Sequence, residues 1–131
     1  MKVNGKCHCG FINYRAVVDP ERVLICHCTD CQTLSGSAYR TVAPIEDGTF
    51  ELTSGELKTY IKTAENGALR SQTFCPECGS PIYAGPADAN STMLGLRVGT
   101  LAQRDQLPPK SQYYSDSAQD WVQDISGLPS D

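Results

Sequence analysis

Cys26-His27-Cys28-Thr29-Asp30-Cys31 and Cys75-Pro76-Glu77-Cys78-Gly79, read together with Cys7-His8-Cys9, decide how this chain folds. The three stretches hold all seven cysteines of the sequence. Cysteines separated by one or two residues have the spacing of ligands that share a metal ion. A disulfide framework would also leave one of seven thiols over. Met1 to Lys6 carries no apolar run of the secretory kind, which predicts a reducing, cytoplasmic setting in which thiols persist.

Local geometry limits what each stretch can do. On a strand, residues two apart face the same way, so Cys7 and Cys9 are expected to reach one ion while His8 points away. In Cys75 to Gly79 the two cysteines flank a tight turn, Gly79 supplies a positive φ, and turn amides can bond to the thiolates. These two pairs give four sulfurs, enough to close a tetrahedral structural site. Cys26, Cys28 and Cys31 give three, and three protein ligands with one further position is how catalytic zinc centres are composed. Spacing alone permits other partitions. Cys28 and Cys31 could pair with Cys75 and Cys78, leaving Cys26 over, or His8 or His27 could complete the three-cysteine group. Neither Cys-x-x-Cys pair sits in the strand–helix context of a dithiol redox motif.

Outward from the cysteines, the sequence reads as short strands between turns. Strands are expected over 11–18, 23–26, 57–62, 68–74, 81–84 and 92–98, with a hairpin turn at Asn66-Gly67. One short helix is expected from Thr29 to Leu34, with Thr29 as its cap and Gly36 beyond its end. No window carries a long helical period, so the fold class is mostly β: one domain of short antiparallel sheets stabilised by zinc. With 131 residues there is room for one core. Residues 1–105 are assigned to the zinc-binding domain. Residues 106–131, beginning near Pro108-Pro109, read as an extended tail packed on it, with Tyr113, Tyr114, Trp121 and Ile125 as its anchors.

Composition excludes several kinds of partner. A net charge of −4 gives no attraction to nucleic acid or to an anionic membrane, and seven thiolates around two dications make the balance more negative still. No apolar run approaches the roughly 20 residues that span a bilayer.

Taken together, Gly5-Lys6-Cys7-His8-Cys9-Gly10, Cys26 to Ala38 and Phe74-Cys75-Pro76-Glu77-Cys78-Gly79-Ser80-Pro81 resemble the glutathione-dependent formaldehyde-activating enzyme family, whose domain centromere protein V shares. The resemblance covers roughly residues 3 to 100, with the motifs in the family's order. It implies a β-rich tent of sheets with two zinc ions. Cys7, Cys9, Cys75 and Cys78 would hold the structural ion, and Cys26, Cys28 and Cys31 the catalytic one. It also implies glutathione, or another small thiol, and a small aldehyde as substrates.

Three thiolates make an electron-rich zinc centre, a poor activator of water but a good partner for an outside thiol. That chemistry suits a carbon–sulfur lyase acting on a thiol–aldehyde adduct. Asp30 is the candidate proton carrier, beside a plainer reading as a loop carboxylate. Arg40 and Arg70 read first as exposed ion-pair partners and second as holders of a substrate carboxylate. The alternative from another class is a non-catalytic zinc-binding interaction module.

Overall fold

The computed structural model describes residues 1–88 and 90–131. Among the described residues ten strands form two sheets, accompanied by one short α-helix. The smaller has the order β1-β2-β5, from β1 (Lys2–Lys6), β2 (Asn13–Val17) and β5 (Glu51–Ser54). The larger begins with β3 (Leu24–Cys26), β4 (Arg40–Pro44), β6 (Lys58–Thr63) and β7 (Leu69–Phe74). It is completed by β8 (Pro81–Pro86), β9 (Gly95–Arg97) and β10 (Ser111–Tyr113), in the order β10-β3-β4-β9-β8-β7-β6. Every pairing is antiparallel except β10 with β3, which run parallel. Among the described residues no helix is long and apolar enough to cross a membrane.

Period-two alternation sorts β1, β2 and β7 into a core face and an outer face. Val3, Tyr14 and Ala16 of the small sheet meet Ala43, Ile82 and Leu96 of the large one, with Val18, Leu101 and Leu107 from the connections. Phe50 bridges the layers, its ring centroid 5.3 Å from Tyr14 and 5.1 Å from Tyr83. Gly5 lies directly opposite Tyr14 in the β1–β2 pairing, and a Cβ at Gly5 would fall into the Tyr14 ring. A glycine is therefore required there by close approach.

The other face of the large sheet carries the chemistry. Cys26 lies opposite Arg40, and Val42 opposite Arg97, so Cys26, Arg40 and Arg97 share that face. Gln72 lies opposite Tyr60 and Ala84 on the same side. The helix α1 (Thr29–Ser35) covers this face, tied to it by the ion pair of Lys62 Nζ with Asp30 Oδ2 at 2.8 Å.

Several sequence expectations need correction. Cys7 and Cys9 are not on a strand: β1 ends at Lys6, and they sit in the turn that follows, closed by Gly10 N donating to Cys7 O (3.3 Å). Gly10 makes that turn possible with φ +86°. Cys28, not Thr29, is the N-cap of α1, because its sulfur accepts the Cys31 amide, while Gly36 closes the helix in the left-handed region as expected. Residues 92–94 lie outside β9, and β4, β5 and β10 are strands that the sequence did not indicate. The side chains of Tyr113, Tyr114, Trp121 and Ile125, expected as anchors, are all more than half exposed. The final segment is held instead by buried Leu107 and by the backbone of β10.

Candidate metal centre

Folding gathers the seven cysteines into two groups. Cys7, Cys9, Cys75 and Cys78 form one and Cys26, Cys28 and Cys31 the other, with the sulfurs of each group within 4.8 Å of one another. All seven are free thiols. In the first group Cys7 Sγ lies 3.6 Å from Cys9 Sγ, and Cys9 Sγ 3.9 Å from Cys75 Sγ. A disulfide needs about 2.05 Å, whereas four sulfurs around an ion at about 2.3 Å stand about 3.8 Å apart along tetrahedral edges. The spacing is that of metal ligands.

Backbone and hydroxyl donors address these sulfurs as they would thiolates. Ile12 N donates to Cys7 Sγ (3.2 Å), Glu77 N to Cys75 Sγ (3.4 Å) and Cys31 N to Cys28 Sγ (3.3 Å). The Ser80 hydroxyl lies 3.2 Å from Cys78 Sγ. Gly79, with φ +80°, turns the chain after Cys78 and donates its amide to Cys75 O.

Without a cation the thiols conflict. The Ser80 hydroxyl and amide pull Cys78 down to about 5. Cys9 keeps an amide bond from Phe11 that favours the thiolate, yet loss of water and the three neighbouring sulfurs push it up to about 12. In the second group Cys26 falls to about 5, chiefly through Cys31, and Cys31 is pushed well above its ordinary value by Cys26 and by burial. Like charges this close cannot all form unaided; a divalent cation resolves the conflict by stabilising every thiolate at once. Thiolate-only donor sets select soft or borderline ions such as zinc. Either group could hold a metal ion.

The histidines stay outside both groups. His8 is exposed, with its backbone N donating to Ser80 Oγ (3.0 Å). His27 is buried, its Nε2 donating to Gln112 Oε1 at 2.8 Å, while its Nδ1 has no hydrogen-bond partner among the described residues. Gln32 of α1 donates from Nε2 to His27 O (2.8 Å) and to Ser117 O (2.9 Å), and its Oε1 accepts from Gln119 Nε2 (2.9 Å). The segment around β10 is thereby fastened to α1 and to the connection between Cys26 and Cys28.

Beside the second group lie two cavities that meet at Arg40 and Pro81. One, of about 330 Å³, is lined by Leu34, Tyr60, Gln72, Phe74 and Tyr83 among others. The second, of about 180 Å³, is lined by Ser35, Tyr39, Thr41, Arg97 and Gly99. The larger falls at the lower end of the range for small-molecule sites. The cysteines themselves line neither; Arg40, within electrostatic reach of Cys26, Cys28 and Cys31, connects the cavities to the sulfurs. Arg40 is not the exposed ion-pair partner expected from the sequence. It is 6% exposed, and its Nε has no hydrogen-bond partner among the described residues. Arg97, which the sequence did not single out, also has a buried Nε without a partner; its Nη2 donates to Gln72 Oε1 at 3.0 Å. Burial, then the Arg40 charge, lowers Arg97 to about 10. The pairing of β3 with β4 brings Arg40 to Cys26, and the pairing of β4 with β9 adds Arg97.

Comparison with known proteins agrees with this architecture. A crystal structure of a Rhodobacter sphaeroides protein, a structural genomics target, superposes with a TM-score of 0.62 at 19% identity, over 83% of this chain and 98% of that one. At that identity the likeness concerns the fold alone. No curated protein matches the chain. The sequence model described as "Glutathione-dependent formaldehyde-activating enzyme" matches residues 2–117, a span that includes all seven cysteines, Arg40, Arg97 and β10. With most of its length matched, the chain belongs to the glutathione-dependent formaldehyde-activating enzyme family.

Proposed function

We propose that the protein binds two zinc ions and is a carbon–sulfur lyase acting on a thiol–aldehyde adduct of the S-hydroxymethylglutathione type. The observation that carries this reading is the inequality of the two cysteine groups. One offers four sulfurs, a complete tetrahedral set; the other offers three, with no fourth His, Cys, Asp or Glu among the described residues. In this reading Cys7, Cys9, Cys75 and Cys78 hold a structural ion, and Cys26, Cys28 and Cys31 hold a second ion with one position for an outside ligand. Zinc bound there would lower the proton affinity of an incoming thiol.

The chain's own residues supply the rest. In the condensing direction the thiol sulfur forms a bond to the aldehyde carbon. The carbonyl π pair moves to oxygen, and the thiol's proton ends there as a hydroxyl. Cleavage reverses each of these, and no oxidant or reductant is consumed. Asp30, in the first turn of α1 and held by Lys62, is the residue proposed to carry that proton. The Cys28 cap and the Gly36 stop fix α1, so that Cys31 and Asp30 move as one unit. Residues 1–105 would carry both ions, and 106–131 would be an extension that braces the second site. A reducing, cytoplasmic compartment with abundant small thiols is the setting this activity requires.

Exchange NMR tests the proposal. Zinc-loaded protein should accelerate interconversion of glutathione, formaldehyde and their adduct over the spontaneous rate, and the zinc-stripped protein and Cys31→Ser should not. Equal rates in all three samples, across several thiols and small aldehydes, would leave a zinc-binding interaction module in place of the enzyme.

A further inference from the structure

We propose that Arg40 and Arg97 form a carboxylate-binding subsite beside the three-cysteine group, so that the thiol this site accepts is one that also carries a carboxylate. The inference rests on the reading of Cys26, Cys28 and Cys31 as the place where a thiol reacts. It adds the recognition element that selects which thiols do so.

The two guanidiniums lie on neighbouring strands, offset by two residues, on the face that carries Cys26. Buried guanidiniums are ordinarily paired with carboxylates, because removing the charge from water costs several kcal/mol unless a counter-charge answers it. Here neither Nε has a partner among the described residues, and the hydrogen bond from Arg97 Nη2 goes to a neutral amide, Gln72. The ion pairs among the described residues are Arg15–Glu51, Lys62–Asp30 and Lys110–Glu21, and none reaches this face's arginines. Arg70 adds a further positive charge close enough to act on Arg97.

The cysteines answer only part of this charge. Three thiolates around a dication leave one negative charge, which two guanidiniums outweigh and Arg70 unbalances further. The excess of positive charge faces the smaller cavity, where Ser35 and Tyr39 add polar side chains to the lining. Guanidinium forks match the two oxygens of a carboxylate, and a subsite of this kind beside a thiol-reactive centre selects molecules carrying both groups.

Calorimetric titration of the zinc-loaded protein tests this with three probes: 3-mercaptopropionate, the neutral 3-mercapto-1-propanol, and thiol-free butyrate. A charge-assisted carboxylate contact should make 3-mercaptopropionate bind on the order of tenfold or more tighter than the alcohol. Arg97→Gln should reduce its affinity to that of the alcohol without changing the alcohol's, and Arg97→Lys, which keeps the charge but not the fork, should fall between. If 3-mercaptopropionate and butyrate bind alike while the alcohol does not, the subsite stands and the thiol reading of the cysteines fails. If the two thiols bind alike in the unmodified protein, if Arg97→Gln weakens both equally, or if none of the three binds, the subsite is overturned.

Discussion

Replacing Cys75 with serine removes a fully buried sulfur that ties the end of β7 to the turn after β1, and its effect can be set against Cys28→Ser in the second group. Cys9 and Cys75 are 66 residues apart in the chain, whereas Cys28 and Cys31 are three apart. Closing a loop removes chain entropy as (3/2)RT ln n, so a metal clip across the wide loop restrains the unfolded chain by about 2–3 kcal/mol more than a clip across the narrow one. That is a lower bound on the difference. Metal-binding free energy at a structural zinc site is folding free energy, of the same order as the whole stability of a domain. At about 3–6 °C per kcal/mol for a chain of this size, Cys75→Ser should melt at least about 6 °C below Cys28→Ser, and at 37 °C it should be largely unfolded. Cys28→Ser should keep its β-sheet circular dichroism while losing one zinc. Thermal melts at equal protein and zinc concentration give the comparison. Coincident melting of the two variants, or an intact Cys75→Ser with half its zinc, would refute the division of labour between the groups.

Elemental analysis of protein purified without chelator should return two zinc ions per chain; graded chelation should remove the ion at the three-cysteine group first, because that group supplies fewer ligands. Gly5→Ala should cost about 1–3 kcal/mol, since the new methyl must displace the Tyr14 ring from a packed core, and chemical denaturation would measure it. Burial raises Tyr14 to about 12 despite its hydrogen bond to Thr100 Oγ1 at 2.6 Å. The unfolded chain therefore loses this proton first, and the Tyr14 contribution, fully present below about pH 10, falls as pH rises from 10 towards 12, at up to about 1.4 kcal/mol per unit. Comparing denaturation at pH 9 and pH 11 for the native chain and Tyr14→Phe isolates it: the native chain should lose more stability over that interval.

Much of the structure was legible because the signals were local. Period-two alternation located β6, although that strand is exposed along most of its length rather than half-buried, and the Cys-Pro-Glu-Cys-Gly turn followed from a glycine free to adopt positive φ. The helix from Thr29 ended at Gly36 as its sequence indicated. Other elements are products of pairing. β5 is exposed throughout and gains its structure from β2. β10 is three residues long, all exposed, and exists because it runs beside β3. Three or four residues are too few to show an alternation that a single sequence could reveal.

The sequence by itself determined that the chain is a mostly β protein with cysteines spaced for metal, because ligand pairs two and three residues apart are a property of the chain and not of its folding. Only the tertiary structure decided which pairs share a group, since Cys9 and Cys75 come within 3.9 Å across 66 residues of chain. It alone also turned His27 away to Gln112 and set Arg40 and Arg97, without carboxylate partners, beside the sulfurs. Those relations depend on strand order and register, which bring together residues whose positions along the chain carry no mark of their proximity.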